Sequence, residues 1–390
     1  MTDGAHAMSV LAVADVEVVE DVGERHFELV EPLFREAAVV FGQLEVPLAN
    51  SGEPQLHGGI RNWGKDKDPR KGARVLRNVG FHVMSHAGNH TMDMGEQTLS
   101  DTLDAVAQET NIKLIGAGRT VEEARQPAIL EVEGTSIGFL AYCSVGIKNS
   151  WAEERRLGSG RVLRRGGIAP LRAHTYYEQV DYQPANRPRI VSQVHPEDLE
   201  AMVEDITTLR DRVDVLFVSM HWGVHFETGT IAQYQVEAGH AAVAAGADAI
   251  LGHHPHIIKG IEYYGGRPIL YGMPNFNLGV RDEHEERDPR WLTLESEKSF
   301  IAKFRVVSKR IEKLSLIPCH LDGRSRQPEP LRSSDPRTAD LIRYLEYVDS
   351  HNTPHFWSGT GTGPAFGPFQ TEYRMDSDEI VVEPSPGIAR

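Results

Sequence analysis

At 390 residues, 40% hydrophobic and 25% charged, the chain has the make-up of an ordinary globular protein, long enough for one large domain with extensions. A formal net charge of −15 argues against a general surface for nucleic acid or anionic membrane, although a local basic patch at Arg155, Arg156, Arg161, Arg164 and Arg165 could hold an anionic substrate. Two cysteines, Cys143 and Cys319, make no disulfide framework, and no apolar run reaches the roughly 18 residues of a membrane span, so a cytoplasmic protein is expected.

Taken in order, the pattern alternates strands with helices. A first strand, Ser9 to Val13, ends at Ala14-Asp15; helix-like sequence from Glu24 to Arg35 leads to a second strand, Ala38 to Phe41, which runs into Gln43 and Glu45. Residues 49 to 72 are loop-like. A helix over 70–79 precedes the run FHVMSHAGNHTMDMG, where a short strand at Phe81–Met84 breaks into a polar loop carrying His86, Asn89, His90 and Asp93 before a helix over 96–109. A short strand, a Gly turn, a helix begun at Thr120 and a hairpin turning at Glu133-Gly134 follow, with Arg125 placed to carry a charge to the rim of the sheet.

From Gly146 to Pro196 the periodicity dissolves into Arg, Gly, Pro and aromatics, a length that in a compact domain implies function or disorder; Trp151, Tyr176, Tyr177 and Tyr182 favour an ordered lid or substrate wall. A helix over 196–212 then precedes the buried strand VDVLFVSM, which delivers His221-Trp222-Gly223, with His225 beyond. A helix over 230–245 precedes ADAILG, which delivers His253, His254 and His256; a hairpin turning at Gly265-Gly266 ends in Asn275. Strand-like runs at SFIAKFRVV and KLSLIPCH close a domain over 9–320. A C-terminal extension, 321–390, contains a helix from Thr338 to Ser350 and, from Trp357, a segment that reads as either a cover over the site or a mobile tail.

Asp15, Glu45, Asn89-His90, His221 and His254-Pro255-His256 each follow a strand, and open α/β sheets place their chemistry at such ends. Carboxylate oxygens with imidazole nitrogens suit Zn, Mn or Fe, whereas a mainly oxygen set suits Ca or Mg; a divalent ion is expected. Any one of these residues alone is more simply a cap or a solvated polar group, but five strand ends with the same chemistry are not a coincidence of composition.

These pieces, AD at Asp15, QLEVPL, AGNHTMDMG, GAGRTVEEARQP, HWG, AGADAILGHHPHIIKGIE and RPILYGMPNF, resemble the bacterial CapA or poly-γ-glutamate capsule family of the calcineurin-like metallophosphoesterase superfamily. The resemblance covers about residues 9 to 280. It implies a calcineurin-like four-layer α/β/β/α sandwich, with Asp15, Glu45, Asn89, His221, His254 and His256 as metal-shell residues and His90 as general acid. Two motifs depart from the pattern: Glu17 stands where the superfamily has a His, and Gln43-Leu44-Glu45 stands where a carboxylate follows Gly-Asp. Its first residues read as a strand, so no secretion or anchor segment of the kind capsule proteins carry is expected, and the chain is similar to the intracellular CapA-like peptide epimerases of lasso-peptide pathways.

Two enzymatic readings follow, with a catalytically inactive binding protein as the third. In a metallohydrolase, the ion activates water and His90 protonates the leaving group of a phosphoester, amide or γ-glutamyl bond. In a peptide Cα epimerase, His90, His254, His86 and His225 with Asp93 and Asp15 move protons, and Arg125, Arg172, Tyr176 and Trp222 hold a peptide or small anionic substrate, the insertion serving as a clamp. The cytoplasmic character, the altered motifs and the surplus histidines favour the second.

Overall fold

The computed structural model describes residues 7–19, 23–55, 67–179, 188–278, 293, 295–322, 324–351, 353–354 and 369–386. Two twisted sheets pack face to face. In the first, the strands Ala7–Val16, Val39–Leu44, Val83–Ser85 and Lys113–Ile115 run parallel, and the antiparallel hairpin Lys298–Val307/Arg310–Leu321 extends the sheet beside Ala7–Val16. In the second, Thr135–Cys143, Val215–His221, Ala249–His253 and Arg267–Leu270 run parallel, with Ala128–Val132 and Ile261–Tyr264 antiparallel at the edges.

The alternation along each strand decides the layers, because successive side chains point to opposite faces. Val10, Ala12, Phe41, Val83, Phe139, Phe217 and Phe304 face the space between the sheets. There Phe41, Phe139, Phe217 and Phe304 form a continuous ladder, with centroid separations of 5.7, 5.2 and 5.0 Å along it. Leu11, Val13, Val40 and Met84 face out, onto a layer that contains helix Pro69–Val79. Leu216, Val218, Ile250 and Ile269 face helices Pro196–Arg210 and Gln233–Ala244. The order helix, sheet, sheet, helix is the four-layer α/β/β/α sandwich expected.

Several local expectations change. The helix over Glu24–Arg35 is instead a 3-10 turn, Gly23–Phe27, and a short helix, Glu31–Glu36, because Pro32 suits only the first turn of a helix. The described residues of the insertion form two hairpins, Glu153–Arg156/Val162–Arg165 and Ala173–Glu178/Arg189–Val194; Tyr182 lies outside the described residues. Residues 369–386 of the extension are neither a cover nor a tail: they carry the hairpin Thr371–Asp376/Glu379–Pro384 on the edge of the first sheet beside Arg310–Leu321. Residues 357–368 and 387–390 of the same expectation lie outside the described residues. Among the described residues no helix is long and apolar enough to cross a membrane.

All parallel strands of both sheets deliver their C-terminal ends to one rim. The two sheets are tied there: Ala14 and Asn275 form an isolated parallel bridge, and the Phe276 N–H donates to the Ala14 carbonyl at 3.2 Å.

Candidate metal centre

The first strand does not stop before Asp15. It continues to Val16 through a bulge, where the register with Val39–Leu44 slips between Val13 and Val16 and Asp15 adopts φ 44°. A bulge re-aims a side chain, and here it belongs to a wholly buried carboxylate. Gln43 holds the turn from the neighbouring strand, its Oε1 accepting the Asp15 backbone N–H at 3.1 Å. One residue past that strand's end is Glu45, also wholly buried. The loop after Val83–Ser85 contributes Asn89, His90 and Asp93: His90 Nδ1 lies 2.7 Å from Asp93 Oδ2, and its Nε2 lies 3.3 Å from Asn89 Nδ2 and 3.8 Å from Glu45 Oε1. An amide NH₂ only donates, so His90 Nε2 accepts and Nδ1 carries the proton given to Asp93.

The second sheet supplies imidazoles. His221 Nε2 stands 2.7 Å from Asn89 Oδ1, and its Nδ1 stands 3.9 Å from Glu45 Oε2. His256 Nδ1 donates to Asn275 Oδ1 at 2.8 Å and lies 3.5 Å from Asp15 Oδ2. The His254 ring centroid sits 4.7 Å from that of His221 and 3.8 Å from that of half-buried His225. His254 and His256 hold φ 100° and 62°, left-handed values uncommon for any residue but glycine, of the kind that cluster at functional sites.

Burial sets the electrostatics. It pushes the Asp15 carboxyl up to about 8, opposed by the nearby His254 backbone amide, and raises Glu45, which the neighbouring Asp15 charge raises further. His221 and His254 are driven well below the ordinary imidazole range, first by burial and then by the surrounding histidines; burial takes His253 to about 3. The rings are therefore neutral and keep a lone pair. Both oxygens of Asp15, both of Glu45 and Nδ1 of His254 are buried without a well-formed hydrogen bond. Such groups are costly unless something of opposite charge completes them. Ligand atoms of Asp15, Glu45 and His256, and separately of Asp15, His221 and His253, lie within 4.8 Å of one another. The donor set fits a divalent cation, which would reverse the carboxylate shifts.

A family model described as bacterial capsule synthesis protein PGA_cap matches residues 16–279. The chain belongs to the PGA_cap family. Its calcineurin-like α/β sandwich is the architecture described above. Among curated proteins, the PGA biosynthesis protein CapA of Bacillus subtilis is 26% identical over 325 residues, covering 82% of this chain and 70% of that protein. A probable polyglutamine synthesis accessory protein of Mycobacterium tuberculosis is 34% identical over 209 residues, covering 52% of this chain and 46% of its own length, so the alignment spans under half of that relative. The capsule biosynthesis protein CapA of Bacillus anthracis is 22% identical, covering 67% of this chain and 55% of that protein.

Within this PGA_cap chain the rim gathers Asp15, Glu45, Asn89, His90, Asp93, His221, His225, His254 and His256. Five other candidates lie elsewhere. His86 shares the outward parity of Met84, so its ring is sealed on the helix side of the first sheet, Nδ1 at 3.3 Å from the Leu44 carbonyl, with burial holding it down to about 4. Trp222 likewise follows Met220 to the helix side, stacking on Tyr271 at 5.7 Å and donating Nε1–H to the Tyr271 carbonyl. Arg125 forms a two-pronged pair with Asp205 at 2.7 and 2.8 Å, and Arg172 does the same with Asp198 at 2.7 and 2.6 Å. Both guanidiniums tie the segments that carry them to helix Pro196–Arg210 instead of waiting for an anion. Tyr176 is exposed on the second insertion hairpin, beside His174.

Sequence reasoning named Gln43, Asn275 and Glu17 without finding their partners, and did not single out Arg326. Gln43 orients Asp15, Asn275 orients His256, and Glu17, the departure from the superfamily motif, is bound by Arg326 from the C-terminal extension in a buried ion pair. Gln43 was legible as the polar residue of an otherwise apolar strand. Nothing local marks Arg326.

Proposed function

We propose that this chain is a metal-dependent acid–base enzyme acting on a peptide, and that its reaction inverts a Cα, that of a C-terminal residue. The observation that supports this is the His90–Asp93 pair: an imidazole with its proton held on Nδ1 by a carboxylate, and its accepting nitrogen 3.3 Å from the Asn89 amide and 3.8 Å from Glu45. Asp15, Glu45, Asn89, His221, His254 and His256 would hold the ion, and their mixed oxygen and nitrogen donors suit Mn, Zn or Fe better than Ca or Mg. When bound, the ion supplies positive charge beside the carbonyl next to the reacting carbon.

His90 Nε2 then takes the Cα proton, and Asp93 stabilises the imidazolium that results. His225, half-buried against His254 on the other loop, returns a proton to the opposite face, and both rings re-equilibrate with solvent between turnovers. The names of the Bacillus subtilis and mycobacterial relatives, tied to PGA and polyglutamine synthesis, support a substrate built of amino acids.

Hydrolysis of a γ-glutamyl, amide or phosphoester bond is the second reading. It is favoured by the His90–Asp93 pair, because one carboxylate-backed imidazole is all that protonating a leaving group requires. Incubating the metal-loaded protein with peptides in D₂O separates the two. Inversion leaves the peptide whole and one deuterium heavier. Fragments carrying the elements of water, with no deuterium at Cα, overturn the epimerase.

A further inference from the structure

The structure assigns Ser219 and His253 a role of their own: resting on the metal-centre reading, we infer that they are positioning residues that hold the ring and set the tautomer of His221, and that His253 is neither ligand nor base. Strand parity brings them together. Ser219 and His221 face the inter-sheet side of Val215–His221 along with Phe217, and His253 faces the same side as Ala249 and Leu251 on the neighbouring parallel strand. Ser219 Oγ lies 2.6 Å from His253 Nε2, and His253 Nδ1 lies 2.8 Å from His221 Nδ1. All three residues are buried.

The direction of every bond in this chain is fixed by its far end. Asn89 Oδ1 can only accept, so His221 carries its proton on Nε2 and accepts on Nδ1. His253 therefore donates from Nδ1 and accepts on Nε2, where the Ser219 hydroxyl donates. On the other side Asn89 Nδ2 donates to His90, which donates to Asp93. Donors point one way from Ser219 to Asp93.

A cation taking the Asn89-facing side of His221 displaces that proton, and the ring must then carry hydrogen on Nδ1. His253 can follow only by accepting on Nδ1 and donating from Nε2, and Ser219 Oγ can accept in turn, because a hydroxyl both donates and accepts. No proton is gained or lost by the three residues; the direction of the chain reverses. An alanine in place of Ser219 would leave His253 Nε2 with no partner in either state. A direct ligand role for His253, which its distance to Asp15 would allow, requires giving up one of two short hydrogen bonds.

The test is Mn(II) affinity of chelator-stripped protein, read from the EPR signal of unbound Mn(II), with the unfolding midpoint measured alongside. Outer-shell partners of this kind typically change metal affinity by roughly 10–100-fold. His253→Phe should weaken binding by about that factor, and His253→Asn, whose amide oxygen replaces Nδ1 as acceptor, should recover most of it. Ser219→Ala should weaken binding and Ser219→Thr restore it. Wild-type affinity in both Ser219→Ala and His253→Phe overturns the inference. Equal loss in His253→Asn and His253→Phe makes His253 a ligand and overturns it as well. Wild-type protein that binds neither Mn(II) nor Zn(II) refutes the metal centre itself, a separate result.

Discussion

Replacing Asp15 by asparagine should stabilise the protein stripped of metal while abolishing its response to metal. In that state a wholly buried carboxyl, which burial moves from 3.8 to about 8, binds a proton more tightly folded than unfolded. Stability therefore falls as pH rises from about 4 and levels off above about 8. At about 1.4 kcal/mol per pH unit, the burden at pH 7 is of the order of 4 kcal/mol. The amide keeps the shape, tolerates the left-handed backbone that Asp15 adopts, and removes the charge that raises Glu45. In urea titrations with EDTA, the Asp15→Asn variant should be more stable than wild type by a few kcal/mol at pH 7, the gap closing toward pH 4. Adding Mn(II) should close the gap: a site at a thousand times its Kd contributes about 4 kcal/mol to the wild type and little to the variant. A variant less stable than wild type in EDTA at pH 7, with an unchanged pH slope, would refute the claim that this carboxyl is desolvated and uncompensated.

Two further outcomes follow from buried charges outside the candidate ligand set. Burial pushes the Lys259 ammonium, which donates to the Glu227 carbonyl, down from 10.5 to about 7; wild-type stability should therefore rise with pH between about 7 and 10.5, and Lys259→Met should flatten that slope in the same titrations. Breaking the buried Glu17–Arg326 pair by Glu17→Gln or Arg326→Met alone should cost roughly 3–5 kcal/mol, whereas the double variant should lose much less, as a double-mutant cycle in urea will read.

Why the strand ends could be read from sequence and their surroundings could not has a physical reason. Apolar runs closed by Asp15, Glu45, Asn89, His221 and His254 signal buried parallel strands ending in a polar loop, and those residues meet at the rim. Which face a loop residue takes is subtler: counting by twos from Met84 and Met220 would have sent His86 and Trp222 to the helix side. Arg125 and Arg172 read as unpaired because their carboxylates, Asp205 and Asp198, are 80 and 26 residues away; no periodicity links them. The insertion showed no alternation because its hairpin strands, such as Ala173–Glu178, are exposed on most positions, and a strand with no buried face has no pattern to display.

The rim itself is a strained junction between two independently patterned sheets. Asp15, His254 and His256 all occupy left-handed backbone, conformations that cost of the order of 1–3 kcal/mol each for residues other than glycine. They persist because the loop after Arg267–Leu270 is fixed at successive points: Ser299 donates to the Asn275 carbonyl at 2.7 Å, and Asn275 bridges to Ala14. Asn277 and the Glu17 backbone exchange hydrogen bonds at 2.9 and 2.7 Å. The Phe41–Phe139–Phe217–Phe304 ladder below sets the spacing of the sheets. Asp15 and His256 thus come into range of each other only when both sheets are docked, so the candidate metal site is a product of the whole sandwich and not of either half.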